Sequence, residues 1–299
     1  MPWSPKRSKT ASGLPARDRN VLTTAKKLIP DTIEMAAQQR IFVGTSGWTY
    51  DDWSGVFYPQ EVKGADRLAY YVRKFRSVEV NATFYRTPTQ NMIDAWNRKL
   101  PAAFHLVVKG PRLITHRKKL VDCDEPLQVF LDRVAKLKRL RVILWQLPPS
   151  LHVDLDRLDR FLGSLPRLRP ARAYVRHAVE FRHASWWGEA TSDLLRRHGA
   201  AFVAVSHPRL PDAIVPTGDL LYVRFHGLGR DLYRYDYSRA ELAQWAARLR
   251  PLLRTRRLYA FFNNDYEAHA PRNAALFAKR LEIDPHPPRR SDSPLPGTK

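Results

Sequence analysis

Short apolar runs alternate with amphipathic segments over most of the chain. The runs are rich in Val, Ile, Leu and Phe and occupy residues 41–45, 77–81, 104–109, 142–147, 178–182, 201–206, 220–226 and 258–263. The segments between them show helical periodicity at residues 66–74, 89–100, 126–138, 155–165, 190–198, 239–253 and 271–281. Buried apolar strands that alternate with helices are typical of parallel βαβ units.

Eight such units in about 240 residues predict a single-domain α/β fold, a (β/α)₈ TIM-type barrel over residues 41–282. The link at residues 207–219 is rich in proline, and we expect no helix there. A doubly wound open sheet is the alternative. No GxGxxG or Walker motif follows any of the predicted strands, which weakens that alternative as a nucleotide-binding fold.

The two ends of the chain differ from this central part in composition. Residues 1–40 are basic and contain scattered Pro and Ser, and residues 283–299 are rich in proline, so we expect both to be disordered. The 299-residue chain has a single cysteine, Cys123, which excludes an internal disulfide framework.

No apolar stretch of the chain approaches the ~20 residues that are needed to span a bilayer. We therefore expect a cytoplasmic protein without a membrane partner.

The charge is unusual for a domain of ordinary composition. The chain has 51 Lys and Arg against 29 Asp and Glu, a net charge of +22. Residues 41–283 retain 40 basic and 24 acidic residues, so +16 belongs to the part predicted to fold. Such a field attracts polyanions. A basic surface without a specific partner is the alternative, and we expect at least weak, non-specific binding of nucleic acid.

Polar residues concentrate at the carboxyl ends of the predicted strands, where barrel enzymes carry their sites. Side chains alternate along a strand, so parity separates residues that point into the barrel from those that face the helices. Parity places seven side chains at one mouth: Glu79, Lys109, Glu180, Arg182, Arg224, His226 and Asn263. Burying charged groups costs several kcal/mol unless they are paired. The pattern therefore predicts either a ligand site or an internal network of ion pairs.

Two carboxylates in this set, Glu79 and Glu180, suggest acid–base chemistry of the kind that glycosidases use. The alternative is that they balance the cations of Lys109, Arg182 and Arg224. Those cations also disfavour a bound metal ion, and no HExxH spacing is present. We expect no metal and no cofactor, and a slightly cationic site that prefers an anionic or polar ligand.

Several motifs give the sequence a specific resemblance to a known family. They are GTSGWTY at residues 44–50, VEVNATFYR at 78–86, QLPPS at 146–150, EFRH at 180–183, YVRFHG at 222–227 and FNND at 262–265. In order and spacing they resemble the YecE-like family, the domain of unknown function seventy-two, over residues 41–282. The resemblance implies a (β/α)₈ barrel and no particular reaction. Two loops depart from the family pattern, KGPR at 109–112 and SHP at 206–208.

We therefore expect a site at the carboxyl mouth that acts on a phosphorylated, nucleotide or sugar ligand, with hydrolase-like or lyase-like acid–base chemistry. The candidate catalytic residues are Glu79, Lys109, Glu180 and His226. The candidate ligand-binding residues are Thr45, Trp48, Asn81, Tyr85, His116, Gln146, Arg182, Arg224, Tyr235, Asn263, Asn264 and Asp265, among which the aromatic side chains suit stacking on sugars or bases. The alternative function is nucleic-acid binding without catalysis.

Overall fold

The fold is described here from a computed structural model, which describes residues 40–166, 168 and 174–282. Eight parallel strands form one sheet that curls into a nearly closed barrel. The strands are β1 (Ile41–Thr45), β2 (Ser77–Val80), β3 (His105–Lys109), β4 (Leu140–Gln146), β5 (Arg176–Glu180), β6 (Ala201–Ser206), β7 (Leu220–Phe225) and β8 (Arg257–Phe262). The predicted (β/α)₈ fold class is confirmed.

Helices alternate with the strands and cover the outside of the barrel. They are α1 (Arg67–Tyr71), α2 (Ala82–Tyr85), α3 (Gln90–Lys99), α4 (Asp124–Val134), α5 (Leu155–Gly163), α6 (Glu189–His198), α7 (Arg239–Leu249) and α8 (His269–Arg280). Residues 207–219, all of which the structure describes, contain no helix, as their prolines predict. The expected disordered ends lie outside the described residues, apart from Arg40.

Strand parity divides the apolar side chains into two cores. One parity fills the barrel interior with side chains such as Val107, Leu144, Val203, Tyr222 and Phe261. The other parity packs against the helices, as Val78, Val80 and Val223 do. The polar inner side chains Glu79, Glu180 and Arg224 join this interior toward the carboxyl ends of β2, β5 and β7.

The hydrogen-bonded order of the strands is β1-β8-β7-β6-β5-β4-β3-β2, so β1 and β2 meet at a seam. The hydroxyl of Tyr71, from α1, lies in this seam. It accepts a hydrogen bond from the backbone N–H of Thr45 at 3.0 Å and donates one to the carbonyl of Ser77 at 3.1 Å. The Tyr71 side chain therefore connects β1 and β2, between which the described residues form no regular ladder of backbone hydrogen bonds.

Candidate active site at the carboxyl mouth

A network of buried ion pairs lies below the carboxyl mouth of the barrel. Arg224, on β7, donates from Nη2 to Glu79 Oε1 and from Nη1 to Glu180 Oε2, each at 2.6 Å. The second oxygen of Glu79 accepts a hydrogen bond from the hydroxyl of Tyr222 at 2.6 Å. All four side chains are at most 1% exposed. Both carboxylates thus share one cation that has no access to solvent, and the three groups together keep one negative charge.

A second cation, Arg182, binds Glu180 from the side of the mouth. Its Nε lies 2.5 Å from Glu180 Oε1, and its Nη2 lies 3.0 Å from Nε2 of His226. Burial alone raises the pKa of Glu180, but the charges of Arg182 and Arg224 outweigh this effect and hold it well below the usual value. Glu180 is therefore ionised throughout the neutral range.

His226 is neutral in this environment. Burial and then the charge of Arg182 lower its pKa well below the usual value. Nε2 of His226 lies 3.0 Å from Nη2 of Arg182, which donates, and 3.1 Å from Oε1 of Glu180, which accepts. On the other side of the ring, Nδ1 lies 3.2 Å from Nδ2 of Asn263, whose Oδ1 accepts a hydrogen bond from Asn81.

Lys109, the last residue of β3, stands apart from these ion pairs. Its Nζ lies 4.0 Å from the centre of the Phe84 ring, and no carboxylate of the described residues lies within ion-pair distance of it. The side chain is 9% exposed. Burial, followed by the positive charge of Arg224, lowers the pKa of Lys109 to about 7. The amine is therefore poised to change protonation state at neutral pH.

Lys109 lines a pocket of about 720 Å³ at the carboxyl mouth of the barrel. The lining residues come from the loops that follow several strands and are Phe84, Tyr85, Lys109, Arg112, His116, Gln146, Pro149, Arg182, His207, Arg209, Leu210, Leu232 and Tyr233. Four of these are Lys or Arg, two are His, and none of the described lining residues is acidic. The electrostatic character of this pocket is therefore cationic.

Residues 42–298 match the family described as protein of unknown function DUF72. The chain belongs to the DUF72 family. It is 35% identical to a DUF72 protein of Thermotoga maritima. The structural match to the crystal structure of that protein covers 81% of this chain and 99% of the other chain, with a TM-score of 0.72. It is 24% identical to the YunF protein of Bacillus subtilis over 82% of this chain and 95% of that protein. It is 27% identical to the YecE protein of Escherichia coli K12 over 53% of this chain and 54% of that protein.

Other residues expected to bind a ligand also border the mouth of this DUF72 barrel. His116 lies 3.4 Å from Nε2 of Gln146, and burial, then the charge of Lys109, lowers its pKa to about 4. Asn81 lies 3.5 Å from Asn263, which connects the end of β2 to the end of β8. Tyr85 is 77% exposed at the rim. These side chains surround the Lys109 pocket or the ion-pair network below it.

The remaining candidates lie apart from the pocket. Thr45 is fully buried in the seam, where its hydroxyl bonds to Tyr71 and to the carbonyl of Gly47. Trp48 packs edge-on against Trp96, with ring centres 6.0 Å apart. In this DUF72 chain both residues pack as parts of the scaffold, and neither contacts the ion pairs.

Three further candidates hold the loops after β7 and β8. Tyr235 donates a hydrogen bond from its hydroxyl to Glu241. Asn264 is buried and donates to the backbone carbonyl of Tyr235 and to Asn273, both at 2.7 Å. The backbone carbonyl of Asp265 accepts from Nε1 of Trp53 at 2.7 Å, and burial raises the pKa of the Asp265 carboxyl. Their contacts are those of loop anchors.

Sequence reasoning missed several residues that shape the pocket. Arg112, His207 and Arg209 lie in loops, where strand parity gives no information about direction. Tyr222 shares the inner parity of Arg224, which was the available signal for its contact with Glu79. The loops that carry Arg112 and His207 are the two in which the sequence departs from the family pattern, at Gly110, Pro111, Ser206 and His207, and His207 lines the pocket.

Two wider observations concern metal ions and membranes. Within the described ranges, no group of three or more His, Cys, Asp or Glu side chains has the geometry of a metal site. Over the same residues, no helix is both long enough and apolar enough to cross a bilayer.

Proposed function

We propose that this protein is an enzyme that binds a phosphorylated small molecule at the carboxyl mouth, where Lys109 acts as the acid–base group. The observation that carries the proposal is the position of Lys109. Its amine faces a cationic pocket from the end of β3 without a carboxylate partner in the described chain. A buried amine in this state gains an interaction when an anionic ligand enters.

The charges around the pocket favour a phosphate group. Arg112 and Arg209 are exposed at its rim, and Arg182 lies deeper beside Glu180. Arginine presents a planar fork of donors that matches the oxygens of a phosphate. Because the described lining has no acidic side chain and the nearby Glu180 is paired with Arg182 and Arg224, a dianionic group meets mostly positive charge there. A neutral sugar would leave Lys109, Arg112 and Arg209 without an anionic partner among the described lining residues.

The chemistry assigned to Lys109 follows from its protonation equilibrium. With a pKa of about 7, the amine is present in both forms at neutral pH and can accept or return a proton efficiently. The neighbouring carboxylates take a supporting role, since Arg224 lies between Glu79 and Glu180 and both are fully buried. This geometry speaks against the glycosidase alternative, which requires two carboxyl groups that reach the substrate.

The test compares ligand binding by the full chain and by Lys109→Met. Thermal unfolding is followed with inorganic phosphate, pyrophosphate and a panel of sugar phosphates, each against its non-phosphorylated counterpart. We expect at least one phosphorylated compound to raise the midpoint of unfolding of the wild type, because a ligand that binds only the folded state stabilises it. We expect Lys109→Met to lose most of that increase.

Lys63→Met is the matched control, because it removes an exposed ammonium group whose Nζ bonds only to the carbonyl of Gln60 in the described structure. It should retain the full increase. The binding proposal is overturned if phosphorylated compounds stabilise Lys109→Met and the wild type equally. The acid–base assignment is overturned if turnover of an identified ligand survives in Lys109→Met.

A further inference from the structure

The end of the barrel opposite the pocket carries a concentration of arginines. Of the eight residues that immediately precede strands, four are arginine and one, Asp219, is acidic. Two more arginines follow within the first residues of β4 and β8. We call this set the arginine ring: Arg40, Arg76, Arg139, Arg141, Arg256 and Arg257.

The helices add to the same face, because they run antiparallel to the strands in a βα-barrel. Basic residues occupy the last turns of α3, α4, α6 and α8, among others: Arg98, Lys99, Arg133, Arg196, Arg197, Lys279 and Arg280. Cations at helix C-termini are stabilised by the helix dipole, so this second set has a structural explanation. The dipole argument does not apply to the arginine ring, whose members lie at the starts of strands or just before them.

Several members of the ring lie close enough to act on one another electrostatically. Burial, followed by the charges of Arg141, Arg257 and Arg76, lowers the pKa of His105 to about 3. The guanidinium of Arg76 also lies 5.2 Å from the centre of the Phe42 ring. Like charges gathered this way destabilise the free protein, and an anion at this face would relieve the repulsion.

Carboxylates pair with some of the helix-end cations, Arg196 with Asp193 and Arg197 with Asp159, and the ring itself has fewer such partners. Asp219 bonds to Arg176, the first residue of β5, at 2.5 Å. No ion pair joins a carboxylate to Arg139, Arg141 or Arg257 within the described residues. Arg141 instead donates to the backbone carbonyls of Lys138 and Leu140. Arg139, Arg141 and Arg257 therefore add positive charge at this end without an ion-pair partner among the described residues.

We propose that the amino-terminal face of the barrel, built around the arginine ring, binds the phosphate backbone of nucleic acid. Arginine forks bind phosphate oxygens in pairs, and a ring of them suits a repeating polyanion better than a single small ion. Contacts to phosphates carry no sequence information, so the binding is expected to be non-specific. This surface is separate from the carboxyl mouth and does not rest on the function proposed there.

An anionic membrane is the other polyanionic surface to consider. Stable membrane attachment through basic residues generally needs a second, apolar anchor. The aromatic side chains next to the arginine ring are those of Phe42 and Tyr259, and both are at most 2% exposed. Tyr174 is an exposed aromatic residue next to β5, and a single side chain is a small anchor. These observations favour nucleic acid.

The experiment measures binding of a short fluorescein-labelled DNA duplex to the full chain by fluorescence anisotropy. The ring variant carries Arg40→Gln, Arg139→Gln and Arg141→Gln. The matched control carries Arg117→Gln, Arg230→Gln and Arg239→Gln, which removes the same charge from exposed positions in connections that follow strands. Both are compared with the wild type between about 50 and 200 mM salt, the range over which phosphate contacts lose affinity.

We expect the wild type to bind at low salt with a dissociation constant of about 10⁻⁴ to 10⁻⁶ M. The ring variant should bind at least about tenfold more weakly, and its salt slope should fall by roughly two to three, since each phosphate contact contributes about 0.9. The control should stay within about twofold of the wild type. Equal losses in both variants would overturn the proposal, because they would show that dispersed charge is responsible.

Two other results would also overturn it. One is the absence of wild-type binding at 50 mM salt, the low end of the range that supports phosphate contacts. The other is binding to phosphatidylserine vesicles that is tighter than binding to DNA and depends on the ring. If the ring variant unfolds at a lower temperature than the control, Arg40→Gln alone, at the exposed member of the ring, is compared with Arg239→Gln alone. Lys109→Met should bind DNA as the wild type does, which separates this inference from the proposed enzyme.

Discussion

The guanidinium group of Arg224 lies between the carboxylates of Glu79 and Glu180, 2.6 Å from one oxygen of each. These three residues come from β7, β2 and β5, so the ion pairs cross the barrel interior and do not follow the sheet. Burial lowers the pKa of Arg224, but both carboxylates raise it above the usual value. The arginine therefore remains charged, and it fixes the separation of three strands.

We predict that Arg224→Met is strongly destabilised, by roughly 3–5 kcal/mol, because it leaves two buried carboxylates without their shared cation. Protonation would relieve their repulsion, so the loss should be smaller near pH 5 than near pH 8. Urea unfolding at both pH values measures this difference. Arg224→Lys should not restore full stability, since an ammonium group cannot reproduce the two-pronged contact. Equal losses at both pH values would contradict the prediction.

We predict that Lys109 reacts with amine-directed reagents with a midpoint near pH 7, in line with its lowered pKa. Exposed lysines should instead show midpoints near 10.4, the ordinary value. Competitive acetylation followed by mass spectrometry measures Lys109 and added N-α-acetyl-lysine, the reference amine, in one sample. A midpoint for Lys109 within one pH unit of that of the reference would contradict the expected environment.

The same lowered pKa predicts how Lys109 affects stability. Between about pH 7 and 10.4 the unfolded chain keeps the proton that the folded chain has lost, so stability rises with pH in this window. Below pH 7 the folded protein bears the full cost of a buried cation, on the order of 4 kcal/mol. Lys109→Met should therefore be more stable than the wild type at pH 6, by urea unfolding, and should approach it as the pH rises toward 10. A difference that does not change with pH would contradict this assignment.

Much of the fold was predictable because its signal is periodic. Alternating apolar runs and helical segments determine the strand and helix order, and strand parity assigns Glu79, Glu180 and Arg224 to the interior. Parity is a property of an extended backbone, so it is informative only within a strand. It supplies no direction for Arg112 or Arg209, which lie in loops and contribute to the pocket.

The contacts within the site were not predictable from the sequence. A count of charges in the sequence treats Lys109, Arg182 and Arg224 as equivalent cations. In the structure Arg182 and Arg224 pair with carboxylates, and Lys109 has no carboxylate partner among the described residues. Which cation lacks a carboxylate partner depends on the distances between side chains from different strands of the barrel, and the sequence does not give these distances. Thr45 shows the same limit, because its motif position did not reveal that its hydroxyl bonds to Tyr71 in the seam.

We predict that Tyr71→Phe lowers the free energy of unfolding by about 1–3 kcal/mol, the cost of leaving buried polar groups without a partner. The hydroxyl of Tyr71 serves the N–H of Thr45 and the carbonyl of Ser77, and the strands on either side cannot replace it. Tyr70→Phe is the matched control from the same helix, and its effect should be small. Chemical denaturation measures both. Equal losses in the two variants would show that the seam does not depend on this hydroxyl.

The close approach of β1 and β2 makes a further prediction at Gly44. A β-carbon at this position would lie 2.2 Å from the carbonyl oxygen of Ser77 and 3.1 Å from the hydroxyl of Tyr71. The first contact is with backbone, which cannot rotate away, so Gly44→Ala must push the two strands apart. We expect a loss of at least about 1–3 kcal/mol, the usual cost of overpacking. Gly64→Ala, where a β-carbon meets no atom within 4 Å, should be neutral or slightly stabilising.

Widening the seam would also break the hydrogen bonds of the Tyr71 hydroxyl. The loss of stability in the double variant Gly44→Ala with Tyr71→Phe should therefore be smaller than the sum of the two single losses. Additive losses would contradict a shared origin, and would mean that the clash is absorbed without opening the barrel.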